Sequence, residues 1–394
     1  MDLSQTDHLK AYGIAYWALN KDIQTDWLLN YRNGSFMLDA QTSLIAECRI
    51  RGVSFEQVSD AQAQAIYAEV QSEKTNMDAV RLEKPPRIAV YTPPGSRPWD
   101  DAVTMALDYA EVKYDKIWDE EVLRGKLSDY DWLHLHHEDF TGQYGKFFAN
   151  YATAPWYVQQ VALLEATAKK LGFPKVSQLK LAIVEKIRAY IEGGGFMFAM
   201  CSATDSYDIA LAASNTDICE QVFDGDPSAP NANEILEFAR TFAFENFTVF
   251  TDPYRYEYST IDVDANLRVN NANVDYFTLF DFSAKYDPVP TMLTQCHANI
   301  IKNFLGQTTA FHKEQIKKSV TVLAEREGTD EVKYIHGNAG RGTFTWYGGH
   351  DPEDYQHAVG DPPTDISLHK NSPGYRLILN NILFPAAKKK KQKT

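Results

Sequence analysis

One segment indicates the fold most clearly: Gly193-Gly194-Gly195-Phe196-Met197-Phe198-Ala199-Met200-Cys201-Ser202-Ala203-Thr204-Asp205. Its apolar centre predicts a buried strand that ends at Cys201, and the small and helix-capping residues that follow predict a helix. In a parallel α/β sheet, binding sites lie beyond the carboxyl ends of the strands. A helix N-terminus lowers the pKa of a thiol, and its first N–H groups can hold an oxyanion. Cys201 is therefore a candidate nucleophile. The alternative is a small apolar core residue.

Strands and helices alternate on both sides of this segment. Strands are predicted at Ile88–Tyr91, Lys116–Trp118, Trp132–His136, Val320–Ala324 and Gly342–Tyr347, and helices at Trp99–Glu111, Trp156–Leu171, Ser177–Glu192 and Pro373–Phe384. This alternation implies crossover connections and a doubly wound, mostly parallel sheet.

The chain divides into an α/β N-terminal region (1–84), the main α/β domain (85–386) and a basic tail (387–394). Pro85-Pro86 marks the first boundary. Residues from about 220 to 305 form a long insertion with some strand of its own, such as Phe247–Phe250. In the N-terminal region, Val53–Val58 is predicted to be a strand.

Composition excludes several classes of protein. The 394 residues carry a formal net charge of −14, which disfavours a nucleic-acid partner. No run of about 18 apolar residues is present, so no membrane span is predicted. The four cysteines are spaced neither as a zinc knuckle nor as a disulfide framework. No signal peptide opens the chain as given, so a cytoplasmic location is expected, with an exported, periplasmic protein as the alternative.

A second candidate segment is the strand Gly342–Tyr347, which ends in two glycines before His350. His350 is thus also expected at the carboxyl edge of the sheet. A neutral imidazole there can take the proton of Cys201 and later return it to a leaving group. Glu353 or Asp351 can orient the ring. The alternative is a solvent-exposed loop histidine.

The third candidate segment is Leu133-His134-Leu135-His136-His137-Glu138-Asp139. On a strand, His134, His136 and Glu138 share one face, and two histidines with a carboxylate can bind zinc or iron. No cofactor is expected, and this divalent metal site is the alternative. Hydrogen-bonded histidines at a polar strand end are favoured over it. Substrate or oxyanion contacts are assigned to Ser202, His137, Glu138, Asp205 and Arg341.

Together these motifs resemble the class I glutamine-amidotransferase-like superfamily, which places a nucleophilic Cys at an elbow after a Gly-rich helix end. The resemblance implies a flavodoxin-like fold with Cys201 as nucleophile, His350 as base and Glu353 as orienting carboxylate. Glu353 follows His350 by one residue more than in the family, and the elbow lacks the usual glycines. The ending is similar to the ThuA-like branch, in the motifs Gly340-Arg341-Gly342, Gly349-His350 and Ile378-Leu379-Asn380-Asn381.

The whole chain is also similar to Bacteroidetes proteins labelled asparagine synthetase B, through His8–Trp17 and Trp27–Tyr31. Such a synthetase needs Cys directly after Met1, where this chain has Asp2. It also needs a Ser-Gly-Gly-x-Asp-Ser loop for ATP, which this sequence lacks. We therefore predict no asparagine synthesis.

These observations predict a cysteine hydrolase or amidase that acts on a small amide or acyl substrate. The mechanism requires Cys201 to be accessible and to lie within about 6–7 Å of His350. The alternatives are a binding module of the same fold that holds a small polar ligand such as a carbohydrate, and a metal-dependent hydrolase. The expected partner is a small molecule, and the oligomeric state is left open.

Overall fold

The computed structural model describes residues 1–94, 101–263, 271–287, 294–355 and 362–387. The start of the predicted helix at Trp99 and the lysines of the predicted tail lie outside these ranges.

The N-terminal region forms a small antiparallel sheet with helices around it. Strand β1 lies between β2 and β3, so the order is β2-β1-β3. The segment Val53–Val58 is not a strand, which corrects the prediction. The elements of this region are α1 (His8–Leu19), β1 (Thr25–Leu29), β2 (Ser35–Leu38), α2 (Thr42–Arg51), α3 (Asp60–Val70) and β3 (Asp78–Leu82).

The main domain begins with a series of strands and helices that alternate as the sequence predicts. Its first elements are β4 (Ile88–Tyr91), α4 (Ala102–Ala110), β5 (Asp115–Ile117), α5 (Asp119–Leu123), β6 (Trp132–Leu135), α6 (Phe148–Tyr151), α7 (Pro155–Lys170), α8 (Val176–Glu192), β7 (Phe196–Met200) and α9 (Ser202–Ala212). The later elements are α10 (Gln221–Asp224), α11 (Ala232–Ile235), β8 (Tyr276–Leu279), β9 (Ile300–Lys302), β10 (Phe311–His312), β11 (Thr321–Glu325), β12 (Glu331–Ala339), β13 (Gly342–Tyr347) and α12 (Pro373–Leu383).

The large sheet of the described residues is mixed, and the α/β prediction is confirmed. Its order is β5-β4-β6-β7-β13-β12-β11-β8-β9, with β10 paired to β12. Strands from β5 to β13 in this order are parallel, and the remaining strands pair antiparallel. Strand β7 lies between β6 and β13 and is buried along its whole length. The carboxyl ends of these central parallel strands therefore form one edge.

The predicted insertion contributes to this sheet. Strands β8 and β9 extend its antiparallel half. The segment Phe247–Phe250 instead makes only an isolated bridge, from Val249 to Ser259. Strand β12, which the sequence analysis did not predict, pairs with β13 along its length.

The N-terminal region shares a hydrophobic core with the main domain. Leu9 of α1, Leu107 of α4 and Leu379 of α12 belong to one buried cluster. The buried Arg376 donates to the Tyr12 hydroxyl at 3.1 Å and to the carbonyl of Met1 at 3.0 Å. Helix α12 thus holds the first residues of the chain against the large sheet. Among the described residues, none of the helices combines the length and the apolar character that crossing a bilayer requires.

A buried ion pair holds the carboxyl edge of the sheet to helix α8. The Lys180 ammonium lies 3.0 Å and 3.1 Å from the two carboxylate oxygens of Asp119, and it donates to the Tyr91 hydroxyl at 2.9 Å. Both charged side chains are almost completely buried. Removing only the cation would leave a buried carboxylate without compensation.

We expect Lys180→Met to lower the free energy of unfolding by about 3–5 kcal/mol, because the buried Asp119 carboxyl group would lose its only cationic partner among the described residues. Urea denaturation measures this change. Lys186→Met, on the exposed face of the same helix, is the control and should change stability by less than about 0.5 kcal/mol. Adding Asp119→Asn to Lys180→Met should recover part of the loss. No recovery would contradict the electrostatic explanation.

Candidate functional site

Cys201 lies at a sharp turn between strand β7 and helix α9. Its backbone has φ 52° and ψ −139°, a left-handed conformation that costs a non-glycine residue about 1–3 kcal/mol. The Cys201 N–H donates to the Tyr347 carbonyl at 3.0 Å, and the helix begins at the next residue. The sequence prediction that the strand ends and the helix begins here is confirmed. This is the geometry of a nucleophile elbow.

A loop of residues 303–310 covers the elbow. The Gln307 N–H donates to the Cys201 sulfur at 3.1 Å, and the Gln307 side chain donates to the carbonyl of Gly145 at 2.5 Å. The buried Lys333 ammonium donates to the carbonyls of Phe304 and Thr309, each at 2.6 Å. The sequence of this loop has no strand or helix pattern and predicts no role for it. Its one distinctive feature is the polar run that follows Gly306, at the end of the predicted insertion.

The same loop holds the segment that carries His350. The Gly349 N–H donates to the carbonyl of Thr308 at 2.7 Å, and the His350 N–H donates to the carbonyl of Leu305 at 3.1 Å. The loop therefore lies between the elbow and the histidine and sets the distance between them.

The structure brings Cys201 and His350 together. A side-chain carbon added at Gly306 would lie 2.8 Å from the Cys201 Sγ and 2.9 Å from the His350 Cδ2. The sulfur and the ring edge are separated by no more than the sum of these distances, which is inside the limit of about 6–7 Å. Glycine at position 306 is what allows this approach.

The accessibility that the cysteine mechanism requires is absent. Cys201 is 1% exposed, and burial raises the pKa of its thiol to about 11, although backbone N–H groups of Thr308, Ser202 and Gln307 oppose the rise. The predicted thiolate is therefore a minor species at neutral pH in this conformation. Desolvation by the covering loop outweighs the helix N-terminus on which that prediction relied.

A row of imidazole rings leads from this pair to the solvent. The ring centre of His350 lies 5.5 Å from that of His136 and 6.4 Å from that of His137. The rings of His136 and His137 are 4.3 Å apart, and His137 is exposed. The sequence-predicted histidines after β6 and after β13 thus lie at one site.

The first turn of α9 holds the histidine-rich loop in place. The Ser202 hydroxyl donates to the carbonyl of His137, and the Ser206 hydroxyl donates to the carbonyl of Glu138, each at 3.0 Å. The Glu138 carboxylate accepts the N–H of His136 at 3.0 Å. Burial raises the pKa of Glu138 to about 7. Ser202 and Glu138 therefore support the loop that borders the site.

Asp205 anchors the covering loop. Its carboxyl group accepts the Thr308 hydroxyl at 2.9 Å and the N–H of Ser206 at 2.9 Å. Burial, reinforced by the nearby Asp262, raises the pKa of Asp205 well above its usual value. Asp205 is completely buried, so the structure gives it a positioning contact where the sequence predicted a substrate contact.

The carboxylates that follow His350 contact helix α12 and the segment that precedes it. Glu353 lies 3.3 Å from the Nδ1 of His369, and the buried Asp351 accepts the hydroxyl of Tyr375 at 2.8 Å and that of Thr364 at 2.7 Å. These contacts hold the segment after His350 against the body of the domain.

Arg341 lies at the opposite edge of the sheet. It precedes β13, whose six residues end beside Cys201, so a rise of about 3.3 Å per residue places it roughly 20 Å away. There it borders a cleft of about 1430 Å³ together with Gly194, Tyr130 and Phe384. The assignment of Arg341 to the Cys201 site is therefore corrected. Arg341 lies at the start of β13 and the site lies beyond its end, so the length of the strand separates them.

A different carboxylate joins the histidines that were considered as metal ligands. Among the described residues, Asp101, His134 and His136 place their potential ligand atoms within 4.8 Å of one another, and all are buried. Strand β6 ends at Leu135, so Glu138 leaves the strand face and turns back to the backbone of His136. This corrects the predicted set of His134, His136 and Glu138. Asp101 is the N-cap of α4, where its side chain accepts the N–H groups of Val103 and Thr104.

No family model matches this chain, and no curated protein matches it. Solved structures similar to it include two cytoplasmic proteins from Salmonella typhimurium. One is 10% identical, with 77% of this chain and 99% of that chain covered and a TM-score of 0.39. The other is 12% identical, with 77% and 100% covered and a TM-score of 0.37.

A GH42 β-galactosidase from G. stearothermophilus is also similar, at 10% identity and a TM-score of 0.29. It covers 68% of this chain, and the match covers 28% of its own length. TM-scores this low support no argument about fold or activity. The α/β assignment rests on the strands and helices described above.

We expect iodoacetamide to label Cys201 slowly at neutral pH, because only the thiolate reacts and the thiol pKa is about 11. Below that pKa the thiolate fraction rises tenfold per pH unit, so the labelling rate should rise about tenfold per unit between pH 7 and 9. Peptide mass spectrometry locates the adduct, and Cys201→Ala is the control. Fast labelling that is already constant near pH 7 would contradict the raised pKa.

Proposed function

We propose that this protein is a hydrolase of the class I amidotransferase-like superfamily, in its ThuA-like branch, that uses Cys201 as nucleophile on a small amide or acyl substrate. One observation carries the proposal. Cys201 occupies a left-handed elbow at the carboxyl end of a central strand, with a backbone N–H on its sulfur and the His350 ring edge beside it. A buried core cysteine requires none of these features.

The order of the parallel strands supports the flavodoxin-like part of this proposal. Numbered along the chain among themselves, the strands β5, β4, β6, β7 and β13 have the spatial order 2-1-3-4-5. That is the flavodoxin-like order, in which ligands bind beyond the carboxyl ends of the strands. Cys201, His136 and His350 follow strands at this edge.

The reaction that this geometry supports begins as the Cys201 sulfur attacks the carbonyl carbon of the substrate. His350 takes the thiol proton during the attack, so the reaction does not depend on a preformed thiolate. The carbonyl oxygen becomes an oxyanion, which the N–H groups of Ser202 and Gln307 can stabilise. The C–N or C–O bond breaks, and His350 returns the proton to the leaving group. Water then hydrolyses the thioester and restores the thiol.

The covering loop limits the size of the proposed substrate. Residues 303–310 lie over the sulfur in the structure, so a substrate must displace them or enter past the exposed His137. Both routes favour a small molecule. We propose no asparagine synthesis, because the sequence has no Ser-Gly-Gly-x-Asp-Ser loop to hold the phosphates of ATP.

The burial of Cys201 favours a second candidate function. A binding module that kept the fold without the chemistry needs no accessible thiol, and its ligand would be a small polar molecule such as a carbohydrate. It would tolerate the raised pKa of Cys201 and the contact of Glu353 with His369, which directs that carboxylate to a residue other than His350. Covalent acylation of Cys201 distinguishes the two candidates.

We expect a panel of small acyl p-nitrophenyl esters and primary carboxamides to yield a thioester on Cys201, detected by mass spectrometry after acid quenching. His350→Gln should slow acylation by at least about 100-fold, because general base catalysis contributes about 10²–10⁴. Cys219→Ala, which removes another buried thiol, is the matched control and should leave the rate unchanged. Absence of an adduct, or equal rates with and without His350, would favour the binding module.

We expect Gly306→Ala to lower the acylation rate at least about tenfold, because its Cβ would press on both the sulfur and the His350 ring. Overpacking of this kind costs about 1–3 kcal/mol, which urea denaturation measures. Gly193→Ala is the control, since Gly193 has an ordinary φ of −74° at the far edge of the sheet. Unchanged acylation in Gly306→Ala would show that the loop leaves the site before the reaction.

A further inference from the structure

We propose that Asp101, His134 and His136 form a binding site for a divalent transition metal ion of the zinc type. The His134 Nε2 lies 3.1 Å from the Oδ1 of Asp101, and the His136 Nδ1 lies 3.7 Å from the same oxygen. All are buried, between the carboxyl end of β6 and the start of α4. Two imidazoles and one carboxylate are a ligand set typical of zinc and of non-haem iron.

The hydrogen bond on the other side of the His134 ring supports a cation here. Its Nδ1 lies 3.2 Å from the carbonyl oxygen of Phe198, which can only accept, so Nδ1 carries the proton. In the neutral ring the Nε2 lone pair then faces the Asp101 carboxylate. Two lone pairs at 3.1 Å repel, so either a proton on Nε2 or a metal cation must separate them, and the zinc titration below distinguishes these two arrangements. Metal-ligating histidines characteristically donate their second N–H to a backbone carbonyl in this way.

The two distances from the Asp101 oxygen to the histidine nitrogens match the size of a zinc site. Zinc lies about 2.0–2.2 Å from nitrogen and oxygen ligands, so two ligands at a tetrahedral angle are separated by about 3.3–3.5 Å. The observed separations of 3.1 Å and 3.7 Å lie on either side of this value. In addition, the Asp101 Oδ2 is buried and has no hydrogen-bond partner among the residues that the structure describes. A buried carboxylate oxygen in that state is costly without a cation.

A second group of potential ligands provides an internal comparison. Asp217, Cys219 and Asp224 also lie within 4.8 Å of one another. There, however, the Lys175 ammonium lies 2.8 Å from Asp217 and 2.9 Å from Asp224, so a cation already balances the carboxylates. We assign no metal to that group.

The proposed ion would lie one imidazole away from the candidate nucleophile pair, since the His136 ring is 5.5 Å from that of His350. It would join the start of α4 to the end of β6 and so hold one side of the site. This proposal does not depend on the hydrolase function, because a binding module could hold the same ion.

The test uses the full chain, stripped with a chelator, dialysed and titrated with zinc chloride alone. We expect about one zinc per chain by elemental analysis after gel filtration, together with a rise in melting temperature. Asp101→Asn keeps the oxygen that caps the N–H groups of Val103 and Thr104, so the helix start is preserved. Asp101→Asn and His136→Gln should each weaken zinc binding by more than about 100-fold. Loss of a residue that only supports a ligand costs about 10–100-fold, so loss of a ligand should cost more.

Cys219→Ser is the matched control and should bind zinc as the unmodified chain does. Cobalt substitution adds a check on the ligands, because nitrogen and oxygen ligands give visible d–d bands without the intense thiolate charge-transfer band. Zinc that is not retained, or that is retained equally by Asp101→Asn and His136→Gln, would overturn the proposal. A thiolate band would also overturn it, since it would place the ion on a cysteine.

Discussion

The left-handed backbone at Cys201 is the constraint on which the rest of the site depends. Strand β7 must leave the sheet and enter α9 without an intervening loop, and only a positive φ at Cys201 allows so sharp a turn. The bond from its N–H to the Tyr347 carbonyl holds that conformation and at the same time extends the pairing of β7 with β13. The same residue therefore sets the helix direction, the position of the sulfur and the alignment of the strand that leads to His350.

Three segments that are distant in sequence meet at this turn. The histidine-rich loop after β6 rests on the first turn of α9, the segment after β13 carries His350, and residues 303–310 connect the two sides. Burial is the dominant electrostatic influence on the groups they enclose. It raises the pKa of Cys201, Glu138 and Asp205, and in each of them it disfavours the charged form. The enclosed site is rich in imidazole, and the buried Asp101 carboxylate lies beside two of its rings.

The sequence was sufficient to predict those elements that depend on neighbouring residues alone. An apolar run followed by small and capping residues predicted β7, the turn at Cys201 and the start of α9, because these follow from side-chain polarity and helix capping. Alternation of strands and helices predicted the parallel half of the sheet, whose edge brings the candidate cysteine and histidines together. Strand β12 was not predicted.

Contacts between distant segments could not be read in the same way. Nothing local marks Gln307 as the donor to Cys201, or Asp101 as the neighbour of His134 and His136. The metal-ligand alternative for Glu138 and the placement of Arg341 at the Cys201 site were wrong for a related reason. Each was inferred from alternation or from flanking glycines, whereas the end of β6 and the length of β13 determine where these side chains lie.

The pairing of β7 with β13 also has a consequence for how the chain reaches this structure. Met200 lies opposite Tyr347, although the whole predicted insertion and the antiparallel half of the sheet lie between them in sequence. Closing so long a loop is entropically costly, and non-local strand pairing slows folding. We therefore expect the helices and the strands from β4 to β7 to form early and the site to be completed late. Any nascent or truncated chain that ends before β13 would contain Cys201 at the unpaired edge of a sheet, where the thiol and the apolar strand beside it are open to aggregation and oxidation.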